Sequence, residues 1–472
     1  MKEKDITMRG LAEVSSMIKY KQVSPVELVE ECTKRTKQLQ PELNAYITFL
    51  EDDAKKKAKI AEQEIIKKGP RSPLHGIPIA LKDVFYTKGI LTTAASKLLS
   101  DFKPDYDSTI TMRLNQSGAI LMGKNNLHEW AYGPTNEDSY YGPCRNPWDP
   151  SRITGGSSGG SAIAVATGMV YMAMGTDAGG SVRIPSALCG TVGFKPTYGL
   201  ASCYGVIPVS FTLDHSGPLT RSVYDAAVTM DIITGYDPKD PCPGRYEGKS
   251  TNFTERLNDI DNVKGMIIGV PSNFYFDKVD YEVEKLVENA ILHLKELGAE
   301  IKTIEIPYLD IVPNISTIIM YPEAAFFHRD RLAANPDEYN PAVKARLNQG
   351  MNYLAIEYIS ALQEREKILN AWNKIISDVD VVVTPTVPIT AFKIGSKTVV
   401  TRGKEEAARD MCLRHTRFAN TTGCPALTVP CGLTPEGLPA GIMIMGRNYD
   451  DLTVLKIGYA YEKHFPYKFI QF

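Results

Sequence analysis

The interpretation of this chain begins with two segments, Gly155-Gly156-Ser157-Ser158-Gly159-Gly160-Ser161 and Gly175-Thr176-Asp177-Ala178-Gly179-Gly180-Ser181-Val182-Arg183. The first runs directly into the apolar stretch 162–174, which argues against a flexible Gly/Ser linker. It also lacks the G-K-[ST] ending of a P-loop and the G-x-G-x-x-G spacing of a dinucleotide site. In the second segment, glycines before Ser181 let the backbone turn tightly and expose consecutive N–H groups. Such amides can bind the oxyanion that forms when a carbonyl is attacked.

A third segment, Gly76–Asp83, places a lysine at the end of an apolar run. Lysine is rarely fully buried, so Lys82 is unusual at the end of a predicted core strand. Taken alone, the pattern also fits a lysine whose stem lies in the core while its amine reaches water. Because neighbouring side chains on a strand point to opposite faces, Asp83 need not pair with Lys82.

Short apolar runs alternate with amphipathic stretches along most of the chain. The runs that predict strands are Ile77–Leu81, Ala119–Met122, Val170–Met174, Met266–Val270, Val381–Val383 and Leu427–Val429. The stretches that predict helices are Asp52–Lys67, Ser108–Asn115, Ser161–Gly168 and Val283–Leu297, with a further helix starting at the Ser24 N-cap. Residues 1–70 are predicted to be helical, and Gly235–Thr251 to be a surface loop. Strands separated by helices predict an α/β fold built on a large sheet.

The composition excludes several functional classes. A net charge of −2 over 472 residues implies no strong attraction to nucleic acid or to an anionic membrane. The apolar run from about Ala162 to Met174 is too short to span a bilayer, and Met1–Asp5 lacks the apolar core of a signal peptide. Eight scattered cysteines form no C-x-x-C pair or zinc spacing. We therefore expect a cytoplasmic protein with reduced thiols, no membrane contact and no metal site.

Together, the three segments resemble the amidase signature family. Gly155–Ser161 reproduces its G-G-S-S-G-G-S element, and Gly175–Arg183 reproduces its G-x-D-x-G-G-S-x-R element. The 24 positions between Ser157 and Ser181 are similar to the family's usual interval. The similarity covers nearly the whole chain, continuing through 24–28, 189–197, 213–218, 422–427 and 437–441.

The resemblance implies one amidase signature domain over residues 1–472. Its fold is expected to be α/β, with a large mixed central β-sheet covered by helices on both faces. We expect a helical N-terminal layer at about 1–70 and a catalytic core at about 71–235. A variable substrate-side region is expected at about 236–410, and a C-terminal return to the core sheet at about 411–472.

The resemblance also implies the catalytic residues. By position, the nucleophile falls on Ser181, the bridging serine on Ser157 after a cis Gly156–Ser157 peptide, and the base on Lys82. Lysine acts as a base only when neutral, and burial can lower its pKa by up to about 3–5 units. The remaining expected site residues are the oxyanion donors among the amides of Ala178, Gly179, Gly180 and Ser181, and the supporting groups Ser158, Asp177 and Arg183.

Histidine is the competing candidate for the base. A Ser-His-Asp triad would need a histidine placed by the fold, and no G-x-S-x-G elbow surrounds Ser181. We therefore expect His128 and His215 to be structural hydrogen-bonding residues.

The expected activity is hydrolysis of a small, aryl or carbamate-like amide through an acyl-enzyme, with water as the second reactant. No cofactor, no metal and no direct nucleic-acid contact are expected. The sequence does not decide whether the chain forms a homodimer. Glu129–Gly133, which contains Tyr132, and Tyr321–Arg331 are candidates to line the acyl side of the pocket. An inactive binding protein on the same fold is the alternative outside enzymes. All three catalytic positions keep the residue that the chemistry needs, which favours an enzyme.

The second enzymatic alternative is the A subunit of the glutamine-dependent tRNA amidotransferase, which works with partner subunits. Members of that type bind free glutamine with an arginine and an aspartate. Val343–Arg346 resembles the arginine-bearing stretch, so Arg346 is a candidate substrate-binding residue. Leu413 occupies the aspartate position, and Asp410 is out of register. A missing acid would leave the ammonium of glutamine without its ion partner, which favours a stand-alone amidase.

Overall fold

The computed structural model describes residues 5–240 and 251–470. Most of the loop predicted at Gly235–Thr251, namely residues 241–250, lies outside the described residues. Seven of the cysteines are described; all are free thiols, and only Cys431 among them is not fully buried.

Thirteen strands occur in the described part of the chain. They are β1 (Tyr46–Phe49), β2 (Pro78–Lys82), β3 (Ile120–Asn125), β4 (Met172–Asp177), β5 (Val192–Lys195), β6 (His215–Thr220), β7 (Ile267–Pro271), β8 (Glu300–Ile304), β9 (Val381–Pro385), β10 (Thr398–Thr401), β11 (Lys404–Ala407), β12 (Ala426–Leu433) and β13 (Pro439–Gly446). The six strands predicted from apolar runs are all among them, with shifted ends.

Fifteen α-helices accompany these strands within the same described ranges. They are α1 (Leu11–Lys19), α2 (Pro25–Leu43), α3 (Glu51–Lys68), α4 (Thr109–Ser117), α5 (Gly159–Ala166), α6 (Arg183–Cys189), α7 (Val223–Ile233), α8 (Phe253–Leu257), α9 (Tyr281–Glu296), α10 (Val312–Ala334), α11 (Pro341–Gly350), α12 (Ala355–Ile375), α13 (Ala408–Leu413), α14 (Arg417–Thr422) and α15 (Asp451–His464). Four 3-10 turns complete the set: Ile6–Met8, Lys97–Leu99, Glu129–Ala131 and Pro336–Glu338.

Eleven of the described strands form one sheet in the order β1-β3-β2-β4-β6-β5-β12-β13-β9-β7-β8. The pairs around β2 and around β7 are parallel, and those from β4 through β9 are antiparallel. The sheet is therefore mixed, as predicted. Parallel β2 and β4 bring their carboxyl ends to the same edge of the sheet.

Helices cover both faces of this sheet, as the packing around β12 demonstrates. A Cβ built on Gly458 of α15 would touch Leu427 and Val429, while one built on Gly441 would touch Thr428 and Ala187 of α6. Because side chains alternate along a strand, α15 and α6 lie on opposite faces.

The N-terminal layer corrects one expectation. The N-cap predicted at Ser24 is present, with Ser24 Oγ accepting from Glu27 N at 3.1 Å and Glu27 Oε2 accepting from Ser24 N at 2.7 Å. Residues 1–70 are not all helical, however, because β1 pairs antiparallel with β3 at the edge of the sheet. A strand of four residues carries little local signal, and pairing with β3, distant in sequence, decides its conformation.

A buried ion pair lies beside the end of β2. Lys124 Nζ is 3.2 Å from Asp83 Oδ1, and both side chains are fully buried. Lys124 also donates to Phe85 O at 2.8 Å. Asp83 thus has its own partner on β3 and leaves Lys82, its chain neighbour, to the other side of the strand.

We predict that Lys124→Met destabilises the protein by roughly 3–5 kcal/mol, because removing one partner leaves Asp83 buried without its counter-charge. The measurement is the denaturation midpoint in urea. Lys37→Met, which removes an exposed partner of Glu51, is the control and should leave the midpoint unchanged. Equal midpoints for wild type and Lys124→Met would contradict a stabilising role for the pair.

Candidate active site

Lys82 ends β2 inside the protein. Its side chain is fully buried, so its amine does not reach water. Lys82 Nζ donates to Ser157 Oγ at 2.7 Å and to Thr176 Oγ1 at 2.7 Å. Thr176 lies near the carboxyl end of β4, the parallel neighbour of β2. The sheet therefore brings a lysine and two hydroxyls together from three distant parts of the chain.

Burial makes this amine a base near neutral pH. Removal from water lowers the pKa of Lys82 to about 7, although the carboxylates of Asp214 and Asp177 act to raise it. No carboxylate is within ion-pair distance of Lys82 among the described residues. A large fraction of the amine is therefore neutral at pH 7 and able to accept a proton.

Ser157 is held by a compact backbone arrangement. The Gly156–Ser157 peptide is cis, as the family resemblance implied. A Cβ on Gly156 would lie 2.8 Å from Asn136 N and 3.0 Å from Gly133 O, so only glycine fits there. The next residues begin helix α5, whose first amide, Gly159 N, donates to Asn136 Oδ1 at 2.9 Å. The Gly/Ser-rich segment is thus part of the core.

The turn that carries Ser181 is wrapped around one carboxylate. Asp177 accepts from Gly180 N at 2.7 Å, from Val182 N at 3.1 Å and from Arg183 Nε at 3.0 Å. Burial acts to raise the pKa of Asp177, but the Arg183 charge and the hydrogen bonds outweigh it and hold this pKa well below its usual range. A permanently charged carboxylate therefore organises the turn.

These bonds divide the amides expected to be oxyanion donors into two groups. The Gly180 amide is committed to Asp177, so the expectation that it is a free donor does not fit this geometry. The amides of Ala178, Gly179 and Ser181 donate to no other residue in the described part of the chain. Spacing alone did not reveal this, because Asp177 reaches back to an amide of its own turn.

Arg183 and Ser158 tie this turn to its surroundings. Arg183 is fully buried and donates from Nη2 to Asp177 Oδ1 at 2.9 Å and to Asn420 Oδ1 at 2.7 Å. Ser158 N donates to Ser181 O at 3.2 Å, which joins the two glycine-rich segments. The three residues expected to support the site therefore all contact the loop of Ser181 or its anchor.

Both histidines that compete for the role of base are buried, and of the two only His215 makes a hydrogen bond through its ring among the described residues. His215 is buried, and its Nδ1 donates to Leu213 O at 2.7 Å. Burial, with the nearby charge of Lys195, lowers the pKa of His215 well below its usual value. Burial also lowers the pKa of His128, whose Nε2 lies 3.4 Å from Asp138 Oδ2.

The two expected substrate-side residues contact each other. Arg346 Nη2 donates to Tyr132 O at 2.7 Å, and its guanidinium lies 5.2 Å from the centre of the Tyr132 ring. Tyr132 also packs edge-on against Tyr321 of α10, with ring centres 5.6 Å apart. Arg346 therefore contacts the residue before Gly133, whose carbonyl oxygen would lie 3.0 Å from a Cβ on Gly156.

Several residues near the site were not found from the sequence. Thr416 Oγ1 donates to Gly179 O at 2.5 Å, and a Cβ on Gly180, whose φ is +131°, would collide with Thr416. Asp214 accepts from Val209 N and Ser210 N at 2.8 and 3.1 Å. Burial raises the pKa of Asp214 to about 7. In the sequence, the one signal that marks Asp214 is the family motif at 213–218, which contains it.

A cleft of about 370 Å³ opens beside Asp214. Its aromatic walls are Tyr86, Tyr106, Tyr204, Phe211 and Phe327.

Across the described ranges, no helix combines the length and the apolar composition that a membrane-spanning segment needs. In those ranges, no three His, Cys, Asp or Glu side chains are grouped to bind a metal ion.

Comparison with known proteins gives consistent matches. The family model described as Amidase matches residues 27–455. The A subunit of a glutamyl-tRNA(Gln) amidotransferase from Sulfurihydrogenibium sp. (strain YO3AOP1) is 37% identical over 98% of this chain and 99% of its own length. An amidase from Pseudomonas putida is 39% identical over 97% of this chain and 96% of its own. A crystal structure of a bacterial aryl acylamidase superposes with a TM-score of 0.88 at 28% identity, covering 98% and 97% of the two chains.

These matches span nearly the full length of the chain. They confirm the resemblance found in the glycine- and serine-rich segments. The same matches include proteins named as amidases and proteins named as parts of an amidotransferase, so they fix the family and leave the substrate open. This chain belongs to the amidase signature family and is an amide-hydrolysing enzyme.

Proposed function

We propose that this enzyme cleaves a carboxylic amide through an acyl-enzyme on Ser181, with Ser157 as proton relay and Lys82 as base. One observation carries the proposal: the buried, low-pKa amine of Lys82 lies 2.7 Å from Ser157 Oγ. A serine hydroxyl is a weak nucleophile and needs a neighbouring base. Here a lysine stripped of water fills that role, and no histidine is needed.

In acylation, Ser181 Oγ forms a bond to the amide carbonyl carbon while its proton passes to Ser157. Ser157 gives its own proton to the neutral amine of Lys82. As the C–N bond breaks, Lys82 returns a proton through Ser157 to the leaving nitrogen. Water then attacks the acyl-enzyme, losing a proton along the same route, and releases the acid and Ser181.

The tetrahedral intermediate carries a negative oxygen that needs donors. The amides of Ala178, Gly179 and Ser181 are the groups proposed to bind it, because none is used elsewhere in the described structure. Their turn is fixed by Asp177 and Thr416. Donors held rigidly need no rearrangement when the charge develops, which is the usual source of oxyanion stabilisation.

Of the two candidate enzymes, we favour a stand-alone amidase over the A subunit of an amidotransferase. Relatives named as the A subunit of glutamyl-tRNA(Gln) amidotransferase match this chain, and Arg346 is present, which keeps the alternative in consideration. Leu413, however, lies against the Ser181 loop: a Cβ on Gly179 would be 3.5 Å from its Cδ2. An apolar side chain there gives the ammonium of glutamine no ion partner.

We predict that Ser181→Ala reduces kcat/KM for any turned-over amide by at least about 10⁴-fold, because it removes the nucleophile. Lys82→Met and Ser157→Ala should each cost several orders of magnitude, because each interrupts the proton path. Initial rates with a chromogenic anilide measure this, and the exposed Ser100→Ala is the matched control. Near-native turnover in Lys82→Met would show that another base operates.

The pH profile should report the buried amine. We expect kcat/KM for an uncharged amide to fall about tenfold per pH unit below about pH 7 and to level off above it, because only neutral Lys82 accepts a proton. In its charged form Asp214 raises the Lys82 pKa, so the profile of Asp214→Asn should shift to lower pH. The shift should be small, because Asp214 itself has a pKa of about 7 and is partly protonated in this range. A profile that is flat through this range would exclude Lys82 as the titrating base.

The purified chain by itself should hydrolyse anilides or primary amides, also after treatment with a chelator, because the proposed triad is complete within one chain. Free glutamine should be a poor substrate of this chain, because the apolar side chain of Leu413 gives the ammonium group of glutamine no ion partner. The product acid can be measured directly, together with the aniline released from an anilide or the ammonia released from a primary amide. Glutamine hydrolysis that requires the addition of other amidotransferase components would support the amidotransferase alternative instead.

A further inference from the structure

We propose that the cleft beside Asp214 binds an aromatic ring carried by the leaving amine, which makes N-aryl and N-arylalkyl amides the preferred substrates. The ring lies among the aromatic walls of the cleft, and the acyl group lies on the side of Tyr132. This inference rests on the proposed function, since it names the substrate class of the same site.

The cleft lies at the edge of the sheet where the proposed catalytic groups emerge. Strands β2, β4 and β6 are neighbours in the sheet. Lys82 is the last residue of β2, Asp177 is the last residue of β4, and Asp177 pairs with His215, the first residue of β6. Asp214, which lines the cleft, precedes His215 in the chain. The cleft therefore opens beside the ends of the strands that carry Lys82 and the turn of Ser181.

One wall of the cleft continues directly from the end of β2. Beyond Lys82 the chain pairs with the segment 205–207, because Ile207 N donates to Val84 O at 3.0 Å and Tyr86 N donates to Gly205 O at 2.8 Å. Tyr86, Gly205 and Ile207 all line the cleft. Backbone hydrogen bonds thus join the cleft to the strand that ends in the proposed base.

The proton path indicates which part of the substrate faces this cleft. In the proposed mechanism, Lys82 returns a proton through Ser157 to the leaving nitrogen, so that nitrogen lies on the lysine side of the reacting carbonyl. The candidate acyl-side residues Tyr132 and Tyr321 pack against each other with ring centres 5.6 Å apart, and neither lines the cleft. The cleft is therefore assigned to the group that the nitrogen carries.

The walls of the cleft suit a flat ring. The rings of Tyr86 and Tyr106 meet edge-on with centres 5.3 Å apart, and Tyr106 meets Tyr204 at 5.5 Å. Aromatic rings prefer such edge-on and offset contacts, and one contact of this kind contributes up to about tenfold in affinity. A volume of about 370 Å³ is at the small end for ligand pockets. It fits one ring on a short link better than a long chain.

The charged groups of the cleft lining are already engaged. Among the described residues that line it, these groups are Asp214 and Lys239. Asp214 accepts from Val209 N and Ser210 N at 2.8 and 3.1 Å. Lys239 Nζ lies 5.3 Å from the centre of the Tyr204 ring, a cation–π distance. A neutral ring therefore fits this lining better than a charged group does.

A buried glutamate holds the wall that carries Phe211. Glu323 of α10 accepts from Thr212 N at 3.1 Å, from Thr212 Oγ1 at 2.5 Å and from Tyr358 Oη at 2.7 Å. It also accepts from Ser210 Oγ. Phe211 is thus held between two residues that are both bonded to Glu323. A wall that is ordered before the substrate arrives loses less conformational freedom on binding.

The test compares two isomeric amides in which the ring changes sides. N-benzylpropanamide carries it on the amine, and N-ethylphenylacetamide carries it on the acyl group. We expect wild-type kcat/KM to favour N-benzylpropanamide by at least about tenfold. Tyr204→Ala and Phe327→Ala should each lower this ratio by at least about fivefold, whereas Tyr204→Phe should keep it because the ring stays.

The matched control is Tyr281→Ala, which removes a ring that is 67% exposed at the start of α9. It should keep the wild-type ratio. A wild-type ratio near one or below it, or an unchanged ratio in both cleft alanine variants, would overturn the proposal.

A third substrate tests whether the cleft selects aromatic rings. N-(cyclohexylmethyl)propanamide has a saturated ring in the place of the phenyl group and forfeits the edge-on contacts. Its wild-type kcat/KM should be at least about fivefold below that of N-benzylpropanamide. Equal values for the two amides would overturn the assignment of the cleft to aromatic groups.

A binding measurement separates the cleft from the catalytic mechanism. Binding of N-benzylpropanamide to Ser181→Ala is followed by ligand-observed NMR, with and without Tyr204→Ala, and circular dichroism checks that both variants fold. Binding that weakens by at least about fivefold in the double variant supports the cleft, even where wild type cleaves neither isomer, in which case the acyl-enzyme proposal alone fails. No detectable binding to folded Ser181→Ala, or equal binding to both variants, would overturn the cleft site and leave the catalytic proposal to its own tests.

Discussion

The hydrogen bond between the fully buried side chains of Lys82 and Ser157, from Nζ to Oγ, is the interaction on which the rest of the site depends. It exists because β2 ends where the first glycine-rich segment brings Ser157 inward and where β4 supplies Thr176. A charged amine in that position would need a counter-ion, and the nearest described carboxylates stay beyond ion-pair distance. The cost of burying the charge lowers the pKa of the amine, so that a large fraction of it is neutral near pH 7 and able to accept a proton.

The turn that carries Ser181 depends on a second buried ionisable group, Asp177, which stays charged. Asp177 keeps its charge because Arg183, Asn420 and the amides of its own turn surround it. Lys82 thus has no ion-pair partner, and burial lowers its pKa. Asp177 has an ion-pair partner in Arg183, and its pKa is held low. Asn420 comes from α14, so the C-terminal part of the chain completes an arrangement that begins in the central motif.

The candidate substrate-side residues come from other elements of the fold than the proposed catalytic residues. The same C-terminal region supplies Leu413, and α11 supplies the candidate substrate-binding residue Arg346. The proposed catalytic groups come from the sheet and from the segments beside α5, which are almost entirely buried, whereas the candidate substrate-side residues come from helices α11 and α13. The proposed chemistry thus lies in the core of the sheet, and the proposed selection among amides lies in helices and loops packed beside it.

The sequence by itself determined the α/β class, six strands and the three catalytic candidates. The fold class and the strands follow from local signals, namely apolar runs and an N-cap, whereas the catalytic candidates follow from the motifs that resemble the amidase signature family. It did not determine that Gly180 N is taken by Asp177, that Tyr46–Phe49 is a strand, or that Arg346 donates to the carbonyl of Tyr132. Those features are contacts between segments separated by many residues, where a side chain's partner, and with it its pKa, is set by packing. Only the tertiary structure decided them, because burial and pairing are properties of the folded chain and leave no periodic pattern in the sequence.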